Sequence, residues 1–258
     1  MNSKRNVKLP SLTVLDPKKV KDQRVLAMSM VGGSVKRAVV HEQLSKANVV
    51  ETVEIPEPEV FYPCPNYEER NCILVFGKSG SGKSYWTKNF LKLYNKVCPE
   101  NRVCIFSVKS QEEDGIYDEI KNTEFFDVSD PEDVPEVISD LENAICVFDD
   151  TEALEGKSAK AIKALQKLIL TVGRSKKISI VSINHNIFNS LQSKYLILEA
   201  DTIVFFPQLN KFETKRYLEQ KEHLPKEIVE RILDLNSRAV VFFRNQSCVM
   251  CDGEMFLV

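Results

Sequence analysis

Residues 77 to 84 read Gly77-Lys78-Ser79-Gly80-Ser81-Gly82-Lys83-Ser84, directly after the apolar run Ile73-Leu74-Val75-Phe76. Four continuous apolar residues read as a strand buried on both faces. Glycines after such a strand let the backbone turn tightly, so that successive N–H groups point at one anion. A helix is expected to begin near Lys83 and to present the positive end of its dipole to the same anion. The full pattern is the Walker A form, in the strand-to-helix setting that the motif requires. Gly77, Lys78, Ser79, Gly80, Ser81, Gly82, Lys83, Ser84 and Tyr85 are therefore the candidates to hold ATP. Lys83 would carry a mobile charge to the β- and γ-phosphates, and Ser84 would offer a hydroxyl to Mg²⁺.

Downstream, short apolar runs alternate with amphipathic stretches. The runs are 73–76, 103–108, 144–148, 178–183, 202–206 and 239–243, rich in Val, Ile and Phe. Helices are expected over 84–97, 133–142, 159–172, 187–198 and 226–235. Alternation of this kind implies an α/β fold with a mainly parallel sheet covered on both faces. The chain end, 239–245 and 248–258 joined through Asn245-Gln246-Ser247, reads as antiparallel strands added to one edge.

Hydrolysis needs a metal partner and a way to activate water. Ala144-Ile145-Cys146-Val147-Phe148-Asp149-Asp150 is a strand ending in two carboxylates, the Walker B form. At the carboxyl end of a parallel strand these acids fall in the ligand crevice. Asp149 is assigned to Mg²⁺ and Asp150 to orienting or activating water, with Glu152 in reserve. The next buried run ends in Ser182-Ile183-Asn184-His185, which would lie between the two Walker elements. Asn184 is the first choice for a residue that senses water and γ-phosphate, and His185 the second. Asn210-Lys211-Phe212-Glu213 imitates a guanine-reading motif. The matching Asp-x-x-Gly is missing, since the acids after the strand run Asp149-Asp150-Thr151-Glu152.

The chain of 258 residues has a formal net charge of −2, which excludes an indiscriminate polycation. Residues 1–24 nevertheless hold seven basic residues against Asp16 and Asp22, a net +5. They read as a flexible basic arm, either solvated or a tether to DNA or an acidic partner surface; 25–50 is mixed and gives no clear pattern, and 51–69 reads as a linker rich in Glu and Pro. Residues 1–60 are thus expected to be arm and linker, and 61–258 one domain. Seven scattered cysteines and no leader suggest a reducing compartment. Cys248-x-x-Cys251 has no second pair, so neither zinc nor redox chemistry is expected of it. No apolar run approaches a membrane span. In Lys157–Lys167, the side chains of Lys157, Lys160, Lys163 and Lys167 share one helical side, opposite Ile162, Leu165, Leu168, Ile169 and Val172. That stripe is either a solvated face or a surface that tracks phosphates. Lys88, Lys92 and Lys96 read as a solvated face.

Taken together, GKSGSGKS, CVFDD, Gly173-Arg174-Ser175 and ISIVSINHN resemble, in order and spacing, the FtsK/HerA-type ATPases. The similarity is greatest to the poxvirus-like genome-packaging ATPases of large DNA viruses, and covers roughly 71–210. It implies a P-loop NTPase, RecA/ASCE-like three-layer domain that hydrolyses ATP with Mg²⁺. It also implies a homo-oligomeric ring that grips double-stranded DNA regardless of sequence and drives it into a capsid, with capsid or portal-like proteins as partners. The expected location is the host cytoplasm at the virus factory, or the virion. Two departures stand out: Asp150 where many members have Glu, and Asn184-His185 where Gln is frequent. Arg174 follows a glycine at an expected helix end. It is either a cation suited to a helix C-terminus or an arginine finger aimed at a neighbour's nucleotide. A small-molecule kinase is a second reading, disfavoured because Arg216 and Arg231 do not make an arginine-rich lid. A non-catalytic nucleotide-gated assembly module is a third, disfavoured by the acidic pair.

Overall fold

The computed structural model describes residues 8–21, 23–45, 48–66, 69–109, 115–135, 138–186, 188 and 191–258. The first part of the chain carries β1 (Lys8–Leu15), β2 (Arg24–Val31), β3 (Ser34–Ser45), β4 (Thr52–Glu54) and β5 (Val60–Pro63). Then follow β6 (Cys72–Phe76), helix α1 (Lys83–Val97), β7 (Val103–Ser107), β8 (Thr123–Asp127) and β9 (Ile145–Asp149). Next come α2 (Gly156–Val172), β10 (Ser179–Asn184), α3 (Leu191–Glu199), β11 (Thr202–Phe205), α4 (Lys211–Gln220) and α5 (Lys226–Asp234). The chain closes with β12 (Val240–Phe243), β13 (Cys248–Met250) and β14 (Glu254–Leu257).

Ten strands form one sheet in the order β4-β14-β13-β12-β11-β6-β10-β9-β7-β8. The run from β11 to β8 is parallel, and β12, β13, β14 and β4 add antiparallel. Alternate residues of each central strand go to opposite faces. Cys72, Leu74 and Phe76 join one core with Ile162, Leu165 and Ile169 of α2, Leu196 of α3, Tyr217 of α4 and Val229 and Ile232 of α5. Ile73 and Val75 join the other, with Trp86, Phe90, Leu91 and Tyr94 of α1. Both faces are dry, which is why the runs are continuous rather than alternating.

The expected arm and linker are corrected. Residues 8–63 hold five strands, and β1-β3-β2-β5 form a separate four-stranded antiparallel sheet. The reason is coverage: α1 alone cannot hide one face of so wide a sheet. Leu12, Leu26, Ala27, Val39, Phe61 and Tyr62 supply the rest of that core, beside Val241, Phe243, Met250 and Met255. The linker stretch holds two strands, with β4 on β14 and β5 on β2, so the large sheet recruits residues before 61. The basic residues Lys8, Lys18, Lys19, Lys21 and Arg24 stay exposed or half-exposed on the outer sheet and its turn, while residues 1–7 lie outside the described residues.

The helix expected over 133–142 is also corrected. The described part holds 3₁₀ turns at Pro131–Asp133 and Ile138–Leu141. Pro135 lacks the N–H that a continuing helix would need. Part of the helix expected over 187–198 lies outside the described residues, and α3 occupies the remainder. No helix among the described residues is long and apolar enough to cross a membrane.

Candidate active site

The glycine loop joins β6 to α1 at the carboxyl edge of the parallel strands. Gly77 is required by crowding: a Cβ there would lie 2.9 Å from Ser81 Oγ and 3.0 Å from Phe206 Cδ2. Gly82 is required by conformation, because it takes φ +104° as N-cap of α1. It has no side-chain cap, so the first N–H groups of α1 stay available to an anion. Lys78, Ser79, Gly80 and Tyr85 are exposed and Ser84 half-buried. Lys83 is buried, and its Nζ donates to Gly77 O at 2.8 Å and Lys78 O at 3.1 Å. Burial lowers the Lys83 pKa, and the nearby Asp150, Asp149 and Glu152 oppose that shift without cancelling it.

Strand β10 lies between the two strands that carry the Walker elements, parallel to both β6 and β9. Asn184 pairs with Phe76, and its carbonyl accepts from Gly77 N at 3.2 Å, which ties the strand end to the loop. The next residue closes the gap. His185 Nδ1 lies 3.3 Å from Lys83 Nζ, and its Nε2 lies 3.2 Å from Asp150 Oδ1. An ammonium on one side and a carboxylate on the other suit a ring whose Nδ1 accepts from Lys83 and whose Nε2–H donates to Asp150. Lys109, two residues beyond β7, completes the row with its Nζ 3.0 Å from Asp150 Oδ2. Burial raises the Asp150 pKa, but Lys109 and His185 lower it further, and the net shift is downward. Asp150 is therefore a carboxylate at neutral pH.

Asp150 adopts φ +53°, a left-handed conformation that Asp tolerates. It opens a 3₁₀ turn over Thr151–Ala153, which returns Glu152 to the site. Glu152 Oε2 accepts from His185 N at 2.6 Å and its Oε1 from Asn184 Nδ2 at 3.3 Å. Ser182 Oγ donates to Asn184 Oδ1 at 2.7 Å, so the Asn184 amide is held at both ends. The spacing alone keeps Glu152 in reserve as a base; in the fold its carboxylate organises the sensor pair.

Asp149 ends β9, buried, with one carboxylate oxygen accepting from the Tyr117 hydroxyl at 2.7 Å. Asp149 and the Ser84 hydroxyl are hard oxygen donors, and that set suits Mg²⁺, which takes few protein ligands beside phosphates and water. Among the described residues no group of three or more His, Cys, Asp or Glu side chains converges.

Arg174 is not brought to this crevice. It sits in a 3₁₀ turn before β10, at the start of the parallel strands, 76% exposed and 3.9 Å from Glu69. The glycine beside it is not a left-handed cap: Gly173 has φ −64°, and Lys177 takes the left-handed position. Gly173 is small for packing, since a Cβ would meet Ile169 and Ile178 at 3.4 Å. Lys157, Lys160 and Lys163 are exposed along α2 and so is Lys167, as the helical spacing anticipates. Lys88 and Lys92 both pair with Glu119, which offsets one of the three charges of that set. Asn210 is buried at the start of α4 without capping it through its side chain, and Lys211 pairs with Asp234 of α5. Cys248 and Cys251 are buried free thiols, and burial pushes the Cys248 thiol up to about 12.

Sequence reasoning missed three contributors. Lys109 was open to discovery, because it follows a parallel strand on the crevice side. Tyr117 and Arg238 carry no local signal. Arg238, just before β12, donates from Nε to Ser81 O at 2.9 Å.

A loop that ends a central parallel strand, a following helix and an acid pair two strands away define the architecture. This is a P-loop NTPase fold. Comparison with one solved structure agrees in fold. The genome packaging NTPase B204 from Sulfolobus turreted icosahedral virus 2, in complex with AMPPCP, aligns with 72% of this chain and 96% of its own, at a TM-score of 0.50 and 12% identity. The pCW3 conjugation coupling protein TcpA aligns with 90% of this chain and 76% of its own, at a TM-score of 0.45 and 11% identity. In sequence, the protein V3 of Sputnik virophage, itself uncharacterized, is 29% identical over 232 residues, 84% of this chain and 88% of V3. No known protein-family profile matches.

Proposed function

We propose that this protein is an ATP-hydrolysing motor that moves double-stranded DNA without regard to sequence and packages a viral genome into a capsid. The observation that carries the hydrolytic part is the row Lys83–His185–Asp150–Lys109, which links the phosphate loop to the acid pair across β10. The motor part is supported by the alignment with a viral genome packaging NTPase and by the exposed lysines of α2.

In the proposed cycle, ATP enters the loop and Lys83 exchanges its backbone carbonyl partners for phosphate oxygens. Ser84 and Asp149 would hold Mg²⁺, which would supply charge neutralisation at the phosphates. Asn184, fixed by Ser182 and Glu152, orients the attacking water. Asp150, already ionised, accepts its proton, and His185 reports the state of the loop to Asp150. Steady-state phosphate release with and without double-stranded DNA tests this reading. DNA-stimulated release is expected. Release that needs a small-molecule acceptor would mark a kinase, and no release would mark an assembly module.

Reversing Lys160, Lys163 and Lys167 to Glu is expected to abolish the DNA stimulation and leave basal hydrolysis unchanged. For every phosphate no longer neutralised, the slope of log affinity against log salt should flatten by about 0.9. Unchanged DNA affinity and salt slope would identify the stripe as solvated surface. We further assign Arg174 to a neighbour's site in a ring, because its position at the strand starts keeps it from its own crevice. Arg174→Ala should keep ATP affinity but lose assembled-state turnover by ~10³-fold or more, the scale of an arginine finger. Mixing it with Lys83→Ala subunits should restore part of the activity. Mixed rings that form but show no recovery at any ratio would reject action between subunits. The virus factory and virion are the proposed locations, and capsid or portal-like proteins the proposed partners.

A further inference from the structure

We propose that Arg238 is a positioning residue for nucleotide, bracing the phosphate loop from its carbonyl side. The proposal rests on the nucleotide-binding reading above. Arg238 Nε donates to Ser81 O at 2.9 Å and Nη2 to Gly80 O at 3.4 Å, the first across 157 positions of sequence. The guanidinium also lies close against Gly82: a Cβ at that residue would be 3.1 Å from Cζ, Nε and Nη2. Gly82 thus has two reasons to be glycine, its left-handed backbone and this contact.

The physical consequence follows from peptide geometry. In a trans peptide the C=O and the next N–H point in opposite directions. Holding the Ser81 carbonyl toward Arg238 turns the Gly82 N–H to the other side of the loop, away from the guanidinium. A cation on a peptide oxygen also polarises the unit and strengthens its N–H as a donor. Arg238 therefore pre-sets a loop whose glycines would otherwise lose orientation entropy on binding.

Arg238 is itself anchored. Its neighbour Ser237 is buried, donates to Ala239 O at 2.6 Å or Asp252 Oδ2 at 2.9 Å, and accepts from Asp252 N at 3.2 Å. Asp252 lies in the turn between β13 and β14, and β14 pairs with β4. The brace thus ties the loop to the antiparallel end of the sheet. Arg suits the task because its planar fork addresses two carbonyls at once, which a lysine ammonium does not.

The test measures binding of a fluorescent ATP analogue with Mg²⁺, steady-state hydrolysis and thermal melting for wild type, Arg238→Gln and Arg238→Lys. For Arg238→Gln, Kd and KM are expected to rise about tenfold, the scale of one charge-assisted hydrogen bond, with kcat within about twofold and Tm unchanged. Arg238→Lys should recover part of that loss. Equal affinity in all three proteins overturns the proposal. So does a fall in kcat with KM unchanged, or a loss in Arg238→Gln that tracks a lower Tm. Wild type that binds no nucleotide would overturn the nucleotide reading itself, and this inference with it.

Discussion

Lys83→Ala is expected to reduce ATP hydrolysis to background and to weaken nucleotide binding roughly 10- to 100-fold, the worth of one hydrogen bond to a charged group. The side chain is the buried positive charge that the loop itself directs inward. Its ammonium already sits against Gly77 O and Lys78 O, with His185 at its far side. Burial has lowered its pKa, so part of the cost of dehydrating the charge is met before phosphate arrives. Removing it deletes the charge that must follow the γ-phosphate into the transition state. It also strands His185, which would have no partner on the loop side. Phosphate release, together with titration of a fluorescent ATP analogue, measures the two effects separately. Near-normal turnover would mean that the phosphate-binding charge comes from elsewhere.

Asp150→Asn should separate binding from chemistry. Nucleotide affinity is expected to stay within a few-fold of wild type, because Asp150 touches Lys109 and His185 rather than the loop backbone. Turnover should fall by ~10²–10⁴, the range for losing a positioned general base. Asn keeps the size and one acceptor but cannot take a proton, and it gives up the ion pair with Lys109. The competing carboxylate is Glu152. Its two oxygens accept from Asn184 Nδ2 and His185 N, as those of Asp150 meet His185 Nε2 and Lys109, so Glu152→Gln should loosen the Asn184–His185 pair that Asp150→Asn leaves in place. Full activity in Asp150→Asn, with loss in Glu152→Gln, would transfer the base to Glu152. Single-turnover rates at saturating ATP decide between the two.

The site shows why some of its members were legible and others were not. Lys83, Ser84, Asp149 and Asp150 follow from local grammar: a buried strand, then a residue pattern whose only economical use is phosphate and metal. Asn184 and His185 were legible because continuous apolar runs predict parallel strands, and parallel strands end on one side. What spacing could not supply was the strand order. That β10 inserts between β6 and β9 makes Asn184 and His185 a bridge rather than a loop start. Lys109 lies just past a parallel strand end and shares that signal, whereas Tyr117 and Arg238 reach the site from other segments, and no periodicity marks a residue for a contact so distant along the chain.

The amino-acid sequence by itself determined the α/β class, the phosphate loop, the acid pair, the lysine face of α2 and the antiparallel chain end. Each depends on neighbours within a few residues, where backbone preference and hydrophobic period act directly. Tertiary structure alone decided the fate of residues 8–63. Their charge and prolines read locally as arm and linker, yet Leu12, Leu26, Val39 and Phe61 are buried because one face of the ten-stranded sheet needs more cover than α1 provides. It also decided that Thr123–Asp127 is a strand: its half-exposed, charge-flanked sequence is weak alone, and pairing with β7 stabilises it at the edge. Burial demand is a property of the assembled sheet, and a local reading cannot sense how much apolar surface remains to be covered.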